Sequence, residues 1–422
     1  MIIYTVKEGD TITSIAQKYG ISSENIVLSN NLQNPDILLI GQSLIIPTEY
    51  KSYIVENGDS IYSIAQNFSV STQEIINLNG LHEPYIIYPG DELLIPPSET
   101  VRQLIQTNGY CYPSISDSTI ASLSPYLTYL TVFSYTINAD GTLNSINDTR
   151  VIKEAKDNNM APIMAVTNIG DNGFDSARLS QVLSNNAVSE TLINNIINTA
   201  LNKGYRGVNV DFEYVYPTDR ERFNSFLGRM FAACKAEGLI FSTAIAPKIK
   251  ADQSGLLYES HDYRVHGENT DFTIVMTYEW GYLYGPPMAV SPINEIEKVL
   301  SYAVTEITSN TLMMSLPNYG YDWTLPYRSG RPARVLTLNE AFNLALQMGV
   351  TIQYNITSET PFFEYSLDGV NHIVWFDDAR SIYAKSELIS KFNLLGVSFW
   401  TVNDFFPQAW EILSAMYRIE KI

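Results

Sequence analysis

The stretch that decides the fold reads Arg206-Gly207-Val208-Asn209-Val210-Asp211-Phe212-Glu213-Tyr214. Apolar and polar side chains alternate along it, and in a β-strand alternate side chains point to opposite faces. The stretch follows an amphipathic run, Val188 to Lys203, that ends at Gly204 and therefore predicts a helix before the strand. A strand set between helices is typical of a barrel with its helices packed outside, so the apolar set is expected to face those helices.

The polar set of this strand, Asn209, Asp211 and Glu213, is then expected to point into the barrel. Buried polar groups cost free energy, and barrel enzymes place such groups at the C-terminal ends of strands, where the chemistry occurs. The alternative is a half-exposed strand whose polar side chains merely face solvent.

Seven other runs of apolar or β-branched residues resemble this one, and all but the last are followed by enough chain for a helix. The eight candidate strands cover residues 103–109, 128–135, 161–166, 207–213, 239–246, 272–278, 311–317 and 394–400. Eight such strands predict an α/β fold, a (β/α)8 TIM barrel.

One connection, at about 321–380 between strands seven and eight, is too long for a single helix. It contains a helical stretch and three strand-like runs, at residues 336–347, 351–354, 362–365 and 372–376. We predict a small α+β insertion on the upper rim of the barrel, where it forms one wall of a cleft.

The first hundred residues contain an internal repeat. Residues 4–17 match residues 53–66, and Gly41, Leu44, Ile46 and Pro47 match Gly90, Leu93, Ile95 and Pro96 at the same offset. Each copy predicts a strand, a Gly-Asp turn, two short helices and a closing strand. Asp10 and Asp59 stand where a helix N-cap is expected.

The repeated pattern, Tyr-x-Val-x-x-Gly-Asp-[Thr/Ser]-Ile through Gly-x-x-Leu-x-Ile-Pro, resembles LysM modules. The resemblance implies two small βααβ modules, at 1–48 and 50–98, that bind N-acetylglucosamine-containing polymers such as peptidoglycan or chitin. It places a binding groove at Asp10, Thr11, Pro35, Asp36 and Ile37, and at Asp59, Ser60, Pro84, Tyr85 and Ile86. The alternative for each Gly-Asp pair is ordinary turn and cap chemistry.

Residues 100–422 resemble the family-18 glycoside hydrolases in four motifs that follow predicted strands in the right order. The fourth-strand motif Asp-Gly-x-Asp-x-Asp-x-Glu appears as residues 206–213 with its last Asp and its Glu kept. The other three appear as Met276-Thr277-Tyr278-Glu279, Pro317-Asn318-Tyr319-Gly320 and Gly396-Val397-Ser398-Phe399-Trp400.

The resemblance implies substrate-assisted, retaining hydrolysis, in which the acetamido oxygen of the substrate is the nucleophile. It makes Glu213 the acid and later the base, and gives Asp211 the acetamido N–H. It also implies that Tyr278 hydrogen-bonds the acetyl oxygen and that Trp400 forms the apolar floor under the sugar. Core filling is the alternative for Trp400, and an ordinary buried tyrosine is the alternative for Tyr278. Asn209, Glu279 and Tyr319 complete the substrate-binding candidates.

Two departures from the motif affect the expected chemistry. Asn209 replaces an Asp and is expected to donate a hydrogen bond to Asp211, which would keep Asp211 charged and lower the pH optimum. The charge of Asp211 is expected to raise the pKa of Glu213. Glu279 also replaces an Asp, and Arg206 is assigned a structural role.

Composition narrows the function classes. The net charge is −19 and the sequence pI is about 4.6, so the chain should repel nucleic acid and anionic membranes. Cys111 and Cys234 lie far apart and the four His are scattered, so neither a metal nor a cofactor is predicted. The N-terminus lacks the features of a signal peptide, and no apolar run approaches the ~20 residues of a membrane helix. Synthesis in the cytoplasm is expected.

The paired LysM modules, the stretch 207–213 and residues 374–381, Val-Trp-Phe-Asp-Asp-Ala-Arg-Ser, resemble a narrower family, the spore-cortex-fragment lytic enzymes of endospore-forming bacteria. That resemblance implies an N-acetylglucosaminidase that acts on peptidoglycan and is placed in the spore coat or at the cortex surface. Two alternatives stay open, a catalytically silent, lectin-like coat protein and a chitinase. The oligomeric state is not predicted.

Overall fold

The computed structural model describes residues 1–96 and 102–422. Residues 1–96 form two βααβ units, each closed by antiparallel pairing of its first and last strands. The first unit consists of Ile2–Thr5, Ile12–Tyr19, Ser23–Ser29 and Ser43–Ile46. The second consists of Lys51–Ile54, Ile61–Phe68, Thr72–Leu78 and Glu92–Ile95. The predicted βααβ modules are thereby confirmed.

The expected helix caps in these units are wrong by one residue. Thr11 and Ser60 are the N-caps, and each has extended backbone and forms a capping box with a serine three residues later. Asp10 instead closes the turn, because its carboxylate accepts from the Tyr4 hydroxyl and from a backbone N–H of the turn, both at 2.7 Å. Asp59 makes the same pair of bonds in the second unit.

Eight parallel strands form a closed barrel, because strand 8 pairs with strand 1 and strand 1 pairs with strand 2. Strands 1 to 8 are Leu104–Cys111, Tyr129–Ile137, Ala161–Thr167, Gly207–Asp211, Ile240–Ile245, Phe272–Met276, Leu312–Pro317 and Gly396–Trp400. All eight predicted strands are present, and the predicted TIM barrel is confirmed.

Nine α-helices of the described chain surround the barrel: Asp117–Leu123, Thr149–Asp157, Ser176–Ser184, Asn186–Lys203, Arg220–Ala236, Tyr263–Glu268, Ile293–Glu306, Ala379–Lys391 and Pro407–Met416. The helix before strand 4 ends at Gly204, whose φ of 75° is left-handed, as the sequence predicts. Val208, Val210 and Phe212 are buried in the core shared with these helices, so the apolar face of strand 4 points outward as expected.

Short elements complete the barrel. Two-residue strands lie at Leu143–Asn144, Ile169–Gly170, Gly173–Phe174 and Arg418–Ile419, and 3-10 turns lie at Pro217–Asp219 and Ser309–Thr311. In the part of the chain that the structure describes, no helix combines the length and apolar character needed to cross a bilayer.

The insertion after strand 7 is a five-stranded antiparallel sheet with one helix, Leu338–Met348. In sheet order its strands are Arg334–Thr337, Tyr319–Leu325, Val370–Trp375, Thr360–Leu367 and Gln353–Asn355. The helix and the last three strands in chain order were predicted, but the first two were not. The strand Tyr319–Leu325 pairs with residues 371–375, a long-range contact that local propensity does not encode.

Candidate active site

A cavity of about 620 Å³ opens at the C-terminal ends of the barrel strands. Six of the predicted site residues contribute to its wall, namely Asp211, Glu213, Tyr278, Glu279, Tyr319 and Trp400. A second cavity of about 600 Å³, lined by Tyr214, Lys250, Tyr258, Trp280 and Tyr282 among others, shares Glu213, Tyr278 and Glu279 with the first. Glu213 therefore contributes to the walls of two adjoining cavities.

Trp400 ends strand 8 and stands in an aromatic cluster at one end of the cleft. Its ring centroid lies 4.6 Å from that of Phe133, 5.4 Å from Tyr110 and 6.0 Å from Tyr112, in edge-to-face geometry. Those three rings fix the indole, which remains partly exposed to the cavity. The sequence analysis missed the three partners, although each lies near the C-terminal end of strand 1 or strand 2.

Asn209 does not contact Asp211, so the expected hydrogen bond between them is wrong. Its amide donates to the Ser242 hydroxyl at 2.9 Å, and its oxygen accepts from the Tyr110 hydroxyl at 2.9 Å. Both polar atoms of the Asn209 side chain are thus hydrogen-bonded in the lumen below the cleft, and Asn209 supports Tyr110, which packs on Trp400. Its role as a direct substrate ligand has no geometric support.

Asp211 is 5% exposed, and its Oδ1 has no hydrogen-bond partner among the described residues. Burial raises the pKa of Asp211 to about 7, because no nearby donor or cation compensates the lost hydration. The expectation that Asp211 stays charged through a bond from Asn209 is therefore wrong, and the lowered pH optimum loses its basis.

Glu213 is held as an acid by its surroundings. Burial raises its pKa well above the usual range, and the charges of Asp211 and Glu279 raise it further. The expected effect of Asp211 on Glu213 is present, but burial contributes more. A protonated carboxyl near neutral pH is what general acid catalysis needs.

The backbone around Glu213 is held by two side chains that the sequence analysis did not single out. Glu213 lies beyond the end of strand 4, where the ladder no longer supports it. The Asn168 amide donates to the Glu213 carbonyl at 2.9 Å, and its oxygen accepts the Glu213 N–H at 3.0 Å. His261 Nε2 donates to the Phe212 carbonyl at 3.0 Å, since its Nδ1 accepts the Ala246 N–H. Burial lowers the pKa of His261 to about 4, so the ring is neutral.

Glu279 follows strand 6 and connects the cleft to the insertion. Its Oε1 accepts hydrogen bonds from the hydroxyls of Tyr319 and Tyr321, the latter at 2.9 Å. Both tyrosines belong to the insertion strand Tyr319–Leu325. Tyr321 was not predicted as a site residue, because it lies just beyond the motif Pro317-Asn318-Tyr319-Gly320 that identified Tyr319.

The predicted groove residues of the two N-terminal units lie apart from the barrel cleft. Asp59, Ser60, Pro84, Tyr85 and Ile86 line a shallow groove of about 450 Å³ in the second unit. In the first unit, Thr11, Asp36 and Ile37 are exposed, while Asp10 and Pro35 are half-buried.

Metal-ligating side chains are dispersed. Within residues 1–96 and 102–422, no three His, Cys, Asp or Glu residues are grouped as a metal site. Cys111 and Cys234 are buried free thiols.

Comparison with known proteins matches both parts of the chain. The model of the family "Glycosyl hydrolases family 18" matches residues 107–404, and that of "LysM domain" matches residues 4–47 and 53–96. The chain is 46% identical to the cortical fragment-lytic enzyme of Bacillus subtilis (strain 168), over 100% of this chain and 99% of that protein. It is 41% identical to the cortical fragment-lytic enzyme of Bacillus anthracis, over 99% of each.

Among solved structures, the spore cortex-lytic enzyme SleL of Bacillus megaterium QM B1551 superimposes with a TM-score of 0.89 at 38% identity, covering 100% of this chain and 99% of that one. Similarity therefore extends over the two N-terminal units and the barrel alike.

Proposed function

The chain belongs to family 18 of the glycosyl hydrolases, and from that premise we propose that it hydrolyses N-acetylglucosaminyl bonds in the peptidoglycan of the spore cortex. The observation that carries the proposal is the pairing of an acid, Glu213, with a carboxylate oxygen, Asp211 Oδ1, that is buried and unpartnered in the same cavity. A buried oxygen without a partner costs about 1–3 kcal/mol, which a substrate N–H donor would recover.

The acetamido group of an N-acetylglucosamine residue supplies such a donor. With the sugar above Trp400, Asp211 accepts the acetamido N–H and Tyr278 donates to the acetyl oxygen. Glu213 then protonates the glycosidic oxygen as that bond breaks, and the acetyl oxygen closes on the anomeric carbon to give an oxazolinium ion. Asp211 is ionised at this step and stabilises the cation.

Water completes the reaction. Glu213, now a carboxylate, removes a proton from a water molecule as the oxygen of that water attacks the anomeric carbon and the acetyl oxygen leaves. Two inversions give net retention. Tyr319 and Glu279 lie in the wall of the same cavity, where they would contact the sugar.

The two LysM modules hold the polymer near the cleft and so raise the local substrate concentration. The groove positions of the second module, Asp59, Ser60, Pro84, Tyr85 and Ile86, are the proposed contacts. Since a solved structure similar over the full chain is named a spore cortex-lytic enzyme, and relatives at 46% and 41% identity are named cortical fragment-lytic enzymes, we propose that the protein acts in the spore, at the coat or the cortex surface.

The test is incubation with solubilised cortex fragments, reduction of the products and mass spectrometry, with Glu213→Gln in parallel. We expect new N-acetylglucosamine reducing ends from the natural chain and a rate lower by about 10²–10⁴ from the variant, whose fold should be intact. Absence of cleavage by both proteins, with binding retained, would favour the lectin-like coat protein instead.

A further inference from the structure

The two LysM modules share a fold but have different surroundings. The segment that precedes and enters the last strand of module 1, residues 39–45, packs on the barrel, and we call it the docking segment. Leu39 is 7% exposed, whereas the equivalent Tyr88 of module 2 is 62% exposed. Each module has a core cluster of its own, but Leu39 and Ile45 of module 1 also belong to the hydrophobic cluster of the barrel, which contains no described residue of module 2.

Polar contacts secure the docking segment. The Gln408 amide, on the last barrel helix, donates to the Asn30 side-chain oxygen at 2.7 Å and to the Ser43 carbonyl at 3.2 Å. The Ile352 N–H donates to the Ile40 carbonyl at 3.0 Å. These bonds are buried or made by backbone, so their loss would leave polar groups unpaired.

One pair of glycines shows the asymmetry clearly. A Cβ added at Gly41 would lie 1.8 Å from the Ile352 carbonyl oxygen, whereas one added at the equivalent Gly90 would meet nothing within 4 Å. Both glycines have positive φ, 83° and 96° respectively. The difference between them is therefore the surface of the insertion that lies against Gly41, and not the local backbone.

Module 1 also packs against module 2. The Glu92 carboxylate accepts from the Lys18 ammonium at 2.8 Å and from the Tyr19 hydroxyl at 3.1 Å, and Leu94 packs against the core of module 1. Module 1 thus lies between the barrel and module 2, with a face committed to each.

The grooves of the two modules differ in chemistry as well. In module 2 the groove of about 450 Å³ is lined by Tyr62, Tyr85 and Ile86, and Tyr62 and Ile86 are 64% and 56% exposed. The constant offset of the repeat places Thr13, Asp36 and Ile37 at these positions in module 1. Module 2 therefore presents aromatic faces on which sugar rings can stack, and module 1 presents none at these positions.

From this asymmetry, and resting on the proposed function, we infer that the modules have divided their roles. Module 2 carries most of the affinity for the N-acetylglucosamine polymer. Module 1 is a structural module that fixes module 2 to the barrel. The polymer therefore approaches the catalytic cleft from a binding site of fixed position.

The binding half is tested in the Glu213→Gln background, which prevents digestion, by co-sedimentation with insoluble peptidoglycan. Tyr62→Ala with Ile86→Ala should weaken binding about tenfold, whereas the matched pair Thr13→Ala with Ile37→Ala should change it by less than about twofold. Ile37 and Ile86 are the same residue type with similar exposure, 50% and 56%. Equal losses, or a larger loss in module 1, would overturn the division.

The structural half is tested by thermal unfolding of Gly41→Ala and Gly90→Ala. Both variants bear the strain of a side chain at positive φ, so only the loss of docking should separate them, and Gly41→Ala should unfold at the lower temperature. If Gly41→Ala does not fold, Gln408→Ala replaces it and should also lower the unfolding temperature. Equal unfolding temperatures for Gly41→Ala and Gly90→Ala would contradict the structural role of module 1.

These outcomes are separable from those of the proposed function. The sedimentation assay needs no turnover. If the two modules differ in binding but the natural chain does not cleave soluble fragments, only the proposed hydrolase activity is contradicted. If soluble fragments are cleaved but the variants of both modules lose binding equally, only the division of roles is contradicted.

Discussion

At the residue scale, Glu213 depends on residues that are distant in sequence. Asn168 bonds both backbone groups of Glu213, and His261 bonds the carbonyl of the preceding residue. Together they hold the two peptide units that flank the acid, just past the point where the strand ladder ends. A carboxyl placed in this way keeps its geometry without the cost of reorganisation during the reaction.

Asn168→Ala should therefore lower kcat by about 10–100-fold with little change in KM, because a loosened acid is mispositioned for proton transfer. Asn168→Asp, which keeps an acceptor for the Glu213 N–H, should lose less. The control is Asn158→Ala, since Asn158 caps its own helix by a 2.9 Å bond to the Glu154 carbonyl. A purely structural role for Asn168 would lower the unfolding temperature and leave kcat unchanged.

Asp211 combines a functional need with a cost in stability. Its folded-state pKa is raised to about 7, so the folded protein binds this proton more tightly than the unfolded chain does. Asp211 therefore lowers the free energy of unfolding as pH rises. This loss is absent below the pKa of Asp211 in the unfolded chain, about 4, and is complete above the folded-state pKa of about 7.

Asp211→Asn should accordingly be inactive yet more stable, with an advantage in unfolding temperature that is larger at pH 8 than at pH 5. In a domain of this size, each kcal/mol of added free energy of unfolding raises the unfolding temperature by about 2–4 °C. Thermal unfolding of both proteins at the two pH values is the measurement. An advantage that shrinks between pH 5 and pH 8 would contradict the raised pKa.

At the element scale, the insertion strand Tyr319–Leu325 is part of the cleft and not only a cover for it. Two of its hydroxyls, on Tyr319 and Tyr321, hold the carboxylate of Glu279, which stands where the family motif has Asp. The carboxylate of Glu279 therefore reaches this strand.

Tyr321→Phe should lower kcat/KM for cortex fragments by about threefold to tenfold, since it removes one donor to Glu279 in the cavity wall. Tyr365→Phe is the control in the same sheet, because the Tyr365 hydroxyl bonds Asp322 at 2.7 Å and does not line the cleft. Steady-state kinetics of both variants provide the comparison. Equal effects would show that the sheet as a whole is responsible, rather than Glu279.

At the scale of the whole molecule, the first LysM module packs on the barrel through its docking segment. The cleft itself is lined by barrel and insertion residues alone, while Leu39 and Ile45 of the docking segment share the barrel's hydrophobic cluster. Catalysis and polymer binding are thus carried by separate parts, joined through a packed interface.

A fragment of residues 102–422 should retain its turnover of soluble fragments within about threefold but lose binding to insoluble peptidoglycan. It should also unfold at a lower temperature than the full chain, because removing module 1 exposes apolar surface on the barrel. Sedimentation, kinetics and calorimetry measure the three effects. An unchanged unfolding temperature would show that the docking contacts contribute no stability.

The sequence by itself determined those features that depend on local periodicity. Alternation in residues 207–213 predicted the strand, its outward apolar face and its inward Asp211 and Glu213, and the repeat predicted the two βααβ modules. Tyr278 and Trp400 came from the resemblance to the family-18 glycoside hydrolases and not from periodicity, and both line the cleft. Helix and strand periods appear in the order of residues, so no knowledge of distant contacts was needed.

Only the tertiary structure decided what distant segments do to one another. It directed Asn209 to Tyr110 and Ser242 instead of Asp211, and it brought Asn168 and His261 to the two peptide units that flank Glu213. It also covered Leu39 of one LysM module while leaving the equivalent Tyr88 of the other exposed. Hydrogen bonds and desolvation act through space, so two repeats with the same local pattern acquire different roles from their different surroundings.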